Sequence, residues 1–536
     1  MVEASPVSAP QAATVRVGDP SPASALRLGL LFAAITLGLQ TASNLWQAHI
    51  GYGYFRDELY YILCGRHLAW GYVDHGPLVA VQARLAIALF GRSLAGMRML
   101  SAAAGAASVF LTGILCWALG GRRPAQALAM LCVLIAPIYL GTGSYLSMNS
   151  CEPMFWMGCL LPLILIRRGA PERLRLWFGL SGGLGLLNKP SLAFFLLCLL
   201  AALLVTPARR LLASKWAAAG IALLILIALP NLVWQVHNHW PTLEFLRNGQ
   251  LHNKNIKLPP LPFLGTQLRN LNPLTALVWV PGLVWLLRNP QAKAWRWLGL
   301  AYLIFLAMMM GMHAKDYYVS PVYPILFAAG GIAWEHRFAR RTAVIRNRAF
   351  ACPVFQGALI ATAILLLPLA IPLLRPPDWI ATMKATHLYG QSTNSENESS
   401  GPLPQFFADR FGWQEEADDV ARVYRSLSPD DQKKVGILCS NYGEASAINF
   451  LTTGLPFAIS VHNNYFLWGP HGYTGEVMIV INGATPEEMR QYYQSVEVVG
   501  LMGTPYSMPF EHRNIYLAHG RKANLLADWP AMKEYI

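Results

Sequence analysis

Charge is what this chain has least of. Only 13% of its 536 residues are Asp, Glu, Lys or Arg, and 54% are hydrophobic, whereas a soluble protein usually carries about 25% charged residues. The deficit excludes an ordinary soluble domain and points to a polytopic membrane protein. Acids are scarcer still: between Leu26 and Arg375 there are eight, namely Asp57, Glu58, Asp74, Glu152, Glu172, Glu244, Asp316 and Glu335. Of the eight cysteines none forms a CxxC pair and most lie in apolar runs, which excludes a disulfide framework and a zinc site and leaves buried thiols. There is no DxD motif, no Walker A loop and no GxGxxG that opens a nucleotide fold, so a nucleotide-sugar donor at a cytosolic metal site is disfavoured. No basic stretch outside the apolar runs is interleaved with aromatics, which excludes nucleic-acid binding. Residues 1–25 are Ala/Pro/Ser-rich and are expected to be a disordered tail. The apolar run that follows is long for a signal peptide and reads as a signal-anchor helix.

What is present is a series of apolar runs. A membrane span needs roughly 20 apolar residues. Candidate spans run near 27–48, 94–119, 125–141, 152–166, 176–188, 191–206, 216–236, 273–287, 297–312, 318–334 and 352–374, about eleven in all. Alternate loops carry the arginines: Arg122-Arg123, then Arg167 to Arg175, Arg209 to Lys215, Arg288 to Arg296, and Arg337 to Arg348. Such loops are expected to be cytoplasmic. The N-terminus is then inside, and the stretch after Arg375 is outside the inner membrane. Six of the eight acids fall on that outer face, in or beside the loops 49–92, 142–151, 237–272 and 313–317. Carboxylates near lipid are costly and usually functional, so the asymmetry points to an active site there. In the first outer loop, Leu59 to Trp70 and Pro77 to Phe90 read as amphipathic helices at the interface.

After Arg375 the composition changes. Residues 26–375 hold 30 Lys and Arg against 8 acids, whereas residues 376–536 hold 11 against 18. Residues 376–400, with Pro376-Pro377 and the polar tract Gln391 to Ser400, read as a linker. In 401–536, Lys434 to Cys439 and Val477 to Ile481 read as strands. Glu444 to Phe450 and Pro486 to Ser495 read as helices, the second capped by Thr485. The alternation predicts a small extracytoplasmic α/β domain.

The densest cluster of chemistry is Gly53-Tyr-Phe-Arg-Asp-Glu-Leu-Tyr-Tyr61. Consecutive helical side chains lie about 100° apart, so Asp57 and Glu58 are expected to have different tasks. A solvated acidic pair is the bland alternative. Glu152 precedes Pro153, and capping of a helix start would account for it. Lys315 lies in a short loop between spans, where a solvated pair with Asp316 competes with a cation held at the headgroup plane. Lys189 can snorkel from a helix end, and the tyrosines can be interface anchors.

Several segments carry a family resemblance. They are Tyr54 to Tyr61, Gly71-Tyr-Val-Asp-His-Gly-Pro-Leu78, Ser147-Met-Asn-Ser-Cys-Glu-Pro153, Gly183 to Pro190 and His313-Ala-Lys-Asp-Tyr-Tyr-Val-Ser-Pro321. In the tail they are Tyr442-Gly-Glu-Ala445 and His462 to Pro470. With them the chain resembles the glycosyltransferases that use polyprenyl-phosphate sugars, the group of the protein O-mannosyltransferases and of the bacterial aminoarabinose transferase of lipid A. The resemblance implies a multi-pass GT-C fold and transfer of a sugar from a polyprenyl-phosphate donor to a glycolipid, glycan or protein acceptor in the cell envelope. It implies that Asp57 is the catalytic base, with Glu58 in a supporting catalytic role. It also implies a substrate-binding set of Arg56, Asp74, His75, Glu152, Lys189, Lys315 and Tyr317. A hydroxyl nucleophile needs a base, and a departing phosphate needs cations or N–H donors, which is the chemistry these residue types supply. His75 stands where the aminoarabinose transferases have lysine, and is only partly charged at neutral pH. Asp57, Glu58 and Asp74 are the set that would gather around a divalent cation if one is used. The rival within the class is a protein O-mannosyltransferase, and the rival outside it is a transporter or flippase of lipid-linked sugars. A transporter is disfavoured because no internal repeat is visible and the acids cluster at one face instead of mid-membrane.

Overall fold

The computed structural model describes residues 21–342, 351–389 and 396–536, without the side chains of 338–342 and 351–352. The expected disordered tail lies outside these residues up to position 20, as do Arg346 and Arg348. The first helix, α1 (Pro22–His49), is capped by Ser21 with Pro22 at its first turn. It is followed by α2 (Arg56–Arg66), α3 (Leu78–Phe90) and α4 (Leu94–Ala118).

Every apolar run expected to cross the membrane is helical. The chain is a multi-pass helical membrane protein. Among the described residues six helices are long and apolar enough to span: Pro22–His49, Leu94–Ala118, Met148–Arg167, Lys215–His237, Pro290–Gly311 and Pro353–Ala370. Two bent pairs raise the number to eight, Arg123–Ile135 with Pro137–Gly143 at 61° and Pro260–Asn270 with Pro273–Arg288 at 100°. Length and composition of the described residues thus support six to eight of the roughly eleven expected spans. Proline breaks the runs, because it cannot donate to the preceding turn and its ring clashes with it. Pro137 opens the second half of the first pair. Asn272 takes φ 70° before Pro273 in the other. At Asn188-Lys189-Pro190 the break leaves Arg175–Asn188 and Ser191–Leu204, each 14 residues.

The C-terminal part is a five-stranded sheet of order β2-β1-β3-β5-β4. Its strands are β1 (Val435–Cys439), β2 (Ala458–Ser460), β3 (Val477–Asn482), β4 (Tyr493–Leu501) and β5 (Asn514–Arg521). β1 pairs in parallel with β2 and β3, and β5 pairs antiparallel with β3 and β4. Helices Tyr442–Leu451 and Pro486–Tyr492 fall where the sequence places them, and Thr485 caps the second in a capping box. The second is shorter than expected, since Tyr493 already begins β4.

This domain sits on the loops expected to share one face. Lys533 pairs with Glu244, the Asn248 amide donates to the Tyr535 carbonyl, and the Asn397 amide donates to the Asn253 carbonyl. α2 is sandwiched between helix Tyr442–Leu451 and α3, and Leu59 to Cys64 are all buried. The expected interfacial helix is thus an internal one, because the C-terminal domain covers the side that would have faced water. Within the stretch expected to be a linker, Pro376–Ala385 is a helix, and Trp379 and Met383 pack with Tyr52 and Phe407; residues 390–395 lie outside the described residues.

Candidate active site

Phe55 ends an extended segment, and α2 begins at Arg56. The 100° step between neighbours then sends Asp57 and Glu58 to opposite environments. The Glu58 side chain is 0% exposed, whereas that of Asp57 is 30% exposed. Glu58 accepts from Arg98 Nε and Nη2, both at 2.8 Å, from the Phe55 N–H at 2.8 Å and from the Leu146 N–H at 2.7 Å. Its oxygens are fully used in tying α2 to α4 and to the loop before Ser147. The catalytic role expected for Glu58 does not fit this geometry, and neither does a metal set of Asp57, Glu58 and Asp74. Among the described residues, no group of three His, Cys, Asp or Glu side chains could hold a metal ion.

Asp57 faces the junction between the membrane part and the sheet domain. Tyr442 Oη donates to Asp57 Oδ1 at 2.9 Å. The Tyr442 ring stacks on Tyr60 at 4.4 Å, and Tyr60 Oη donates to Asp74 Oδ1 at 3.0 Å. A stacked tyrosine pair thus joins the two carboxylates. Burial raises the pKa of Asp74, His75 and Tyr60 pull it back, and Asp57 adds to the rise. His75 is 2% exposed and stacks on Tyr72 at 4.5 Å. Burial holds its pKa below the ordinary histidine value despite Asp74. A neutral, enclosed imidazole is a poor phosphate ligand, which argues against the binding role expected of it. Next to it, a Cβ on Gly76 would stand 2.1 Å from the Leu187 carbonyl oxygen, so glycine is required there by close backbone approach.

The cations gather on the other side of Asp57. Arg56 Nε lies 3.8 Å from Asp57, and the guanidinium lies 4.0 Å from both Glu396 and Glu511. Burial disfavours its charge, but Tyr442, Asp409, Glu396 and Asp57 outweigh that and hold the pKa well above the ordinary arginine value. Lys315 Nζ is 3.7 Å from Glu396 Oε1, and Lys254 Nζ is 4.0 Å from the same oxygen. Three cations therefore converge on one carboxylate. Burial pushes the Glu396 pKa up, yet Lys254, Arg56 and Lys315 together bring it down to about 2. Lys315 is not paired with Asp316, which instead accepts from Asn270 at 2.9 Å.

Glu152 and Lys189 form a separate buried pair at 3.0 Å. Lys189 also donates to Asn149 at 2.8 Å and lies 4.2 Å from the centre of the Tyr318 ring and 5.2 Å from that of Tyr317. Ser191 donates to the other Glu152 oxygen. Helix capping does not explain Glu152, because its helix begins at Met148 under a Ser147 cap. The charge of Lys189 is spent inside this pair.

Part of the chain matches a known family. Residues 74–234 fit the sequence pattern of the dolichyl-phosphate-mannose-protein mannosyltransferases. The fold as a whole resembles ArnT from Cupriavidus metallidurans in its undecaprenyl-phosphate-bound structure, with a TM-score of 0.57, 15% identity, and coverage of 91% of this chain and 97% of that one. The apo structure of the same protein gives a TM-score of 0.55 at 14% identity, with coverage of 91% and 97%. The chain shares the fold of ArnT along almost its whole length. Among curated proteins no sequence match was found. Of the expected site residues, Asp57, Arg56, Asp74 and Lys315 lie at the junction or its edge, Tyr317 stands beside Lys189, Glu58 and Lys189 serve buried pairs, and His75 is shut in. Sequence reasoning missed Lys254, Glu396 and the role of Tyr442. Tyr442 sits in a tail motif that had been noticed, Glu396 lies in the tract read as linker, and Lys254 carried no signal.

Proposed function

We propose that this protein is a glycosyltransferase that moves a sugar from a polyprenyl phosphate to an acceptor hydroxyl, on the extracytoplasmic face of the inner membrane and with inversion at the anomeric carbon. The observation that carries the reading is the placement of one partly exposed carboxylate, Asp57, beside Arg56, whose guanidinium meets Lys254 and Lys315 at Glu396. The Cupriavidus protein of similar fold binds undecaprenyl phosphate, which makes a lipid phosphate the natural anion for this site.

In the proposed step Asp57 takes the acceptor proton as the hydroxyl oxygen bonds to the anomeric carbon and the bond from that carbon to the phosphate oxygen breaks. The donor phosphodiester carries one negative charge, and the departing polyprenyl phosphate carries a second. Lys315, Lys254 and Arg56 supply positive charge where it develops. Tyr442 orients the Asp57 carboxylate, and the Tyr60–Asp74 contact braces Tyr442 from behind. Glu396 occupies the point where the cations meet, so the donor phosphate displaces it on binding. The mannosyltransferase match over 74–234 favours protein as the second acceptor class.

Purified protein with radiolabelled polyprenyl-phosphate sugars and an envelope extract tests the reading. Label is expected in a glycolipid or glycoprotein fraction together with free polyprenyl phosphate. Translocation of intact donor across a vesicle without transfer would instead establish a flippase.

A further inference from the structure

A second polar site lies on the far end of α2. A cavity of about 290 Å³ is lined by Arg66, Arg84 and Arg92 together with Ile62, Ile87 and Phe450. Arg66 Nη1 donates to the Asn449 carbonyl at 3.0 Å, and Arg92 donates to the Phe450 carbonyl. Both guanidiniums lie over the Phe450 ring, at 5.4 and 4.4 Å from its centre. These contacts close the C-terminal end of helix Tyr442–Leu451, which is a usual place for arginine.

Capping does not account for the whole cluster. Each guanidinium has five N–H donors, and the two carbonyls are neutral. Arg84 projects from α3, is exposed, and makes no hydrogen bond or ion pair among the described residues. Among the described residues no carboxylate pairs with Arg66: burial lowers its pKa and Arg92 lowers it further, against a smaller opposite effect of Tyr465. Three positive charges thus surround one cavity without an anion, in a protein whose neighbouring junction is rich in acids. The apolar wall continues along α3 into the exposed side chains of Leu85, Leu89 and Phe90, as on a surface that meets acyl chains. A free inorganic anion would have no use for that wall.

We infer that this pocket binds the phosphate headgroup of an anionic membrane lipid, with the arginines on the phosphate and Ile62, Ile87 and Phe450 against the glycerol and first methylenes. The nine helical steps from Asp57 to Arg66 span about 13 Å, so the lipid sits beside the catalytic junction without entering it. The site does not depend on the role of Asp57.

Native mass spectrometry of the full chain in detergent, titrated with phosphatidylglycerol or phosphatidylcholine, tests this. Phosphatidylglycerol is expected to bind more tightly. Arg84→Gln is the decisive variant, because Arg84 supports no helix end, and it should weaken the tightest phosphatidylglycerol site about fivefold. Arg173→Gln, on a basic loop elsewhere, should leave that site unchanged. Millimolar inorganic phosphate should not displace the lipid. Equal binding of the two lipids, equal weakening by both variants, no effect of Arg84→Gln, or displacement by inorganic phosphate or by an acidic peptide would each overturn the inference.

Discussion

Replacing Glu58 with glutamine separates a structural acid from a catalytic one. The carboxylate accepts four hydrogen bonds, and its pair with Arg98 is wholly buried. In Glu58→Gln one oxygen survives and can keep Arg98 Nε and the Leu146 N–H. The new NH₂ then faces the Phe55 N–H and Arg98 Nη2, each placed 2.8 Å from the lost oxygen. Donors meet donors, and the Arg98 charge loses its counter-ion. Gln47 and the Gly53 carbonyl remain as neutral partners for Arg98, at 3.2 and 3.1 Å. Breaking a buried pair on one side costs about 3–5 kcal/mol, and two stranded donors at about 1–3 kcal/mol each give a similar figure. Thermal melting in detergent and folded yield by gel filtration should both fall. The folded fraction should turn over near the normal rate at low temperature. A variant that melts normally and has lost turnover would refute the structural assignment and return Glu58 to the chemistry.

Lys315→Met should weaken donor binding and slow departure of the lipid phosphate, each by roughly tenfold for about 1.4 kcal/mol of lost attraction; unchanged donor affinity and rate would remove Lys315 from the phosphate site. Glu396 has a depressed pKa, so its hold on Lys254 and Lys315 is present above its ordinary pKa of 4.5 and fades as pH falls toward about 2. Protection of the Asn397 backbone N–H, which donates to the Lys254 carbonyl at 2.9 Å, should therefore fall across that window when measured against the intrinsic exchange rate at each pH; constant protection would show that the ion pairs do not hold the segment.

Much of the architecture was legible because composition and period carry it. The apolar runs, the arginine-bearing loops and the strand Val477–Asn482 stand out by hydropathy alone. The interior of the site was less legible. That Glu58 turns inward depends on Arg98, which lies 40 residues away on α4. Nothing in the local sequence marks that arginine as buried. Glu396 belongs to a polar tract whose composition suits a linker, and only its contact with Lys254 and Lys315 reveals its place. β2, β4 and β5 escaped notice because one is three residues long and β4 is largely exposed. Among the described residues six to eight spans pass on length and composition alone, because prolines cut several of the apolar runs into shorter helices.

Transfer by purified Asp57→Asn protein is the measurement that bears most directly on the reading. The variant should fold, bind donor lipid with near-normal affinity and lose about 10²–10⁴-fold in rate, the usual worth of a general base. Turnover within a few fold of the wild type at saturating donor and acceptor would contradict the account, which gives the acceptor proton to the carboxylate held by Tyr442 and Arg56.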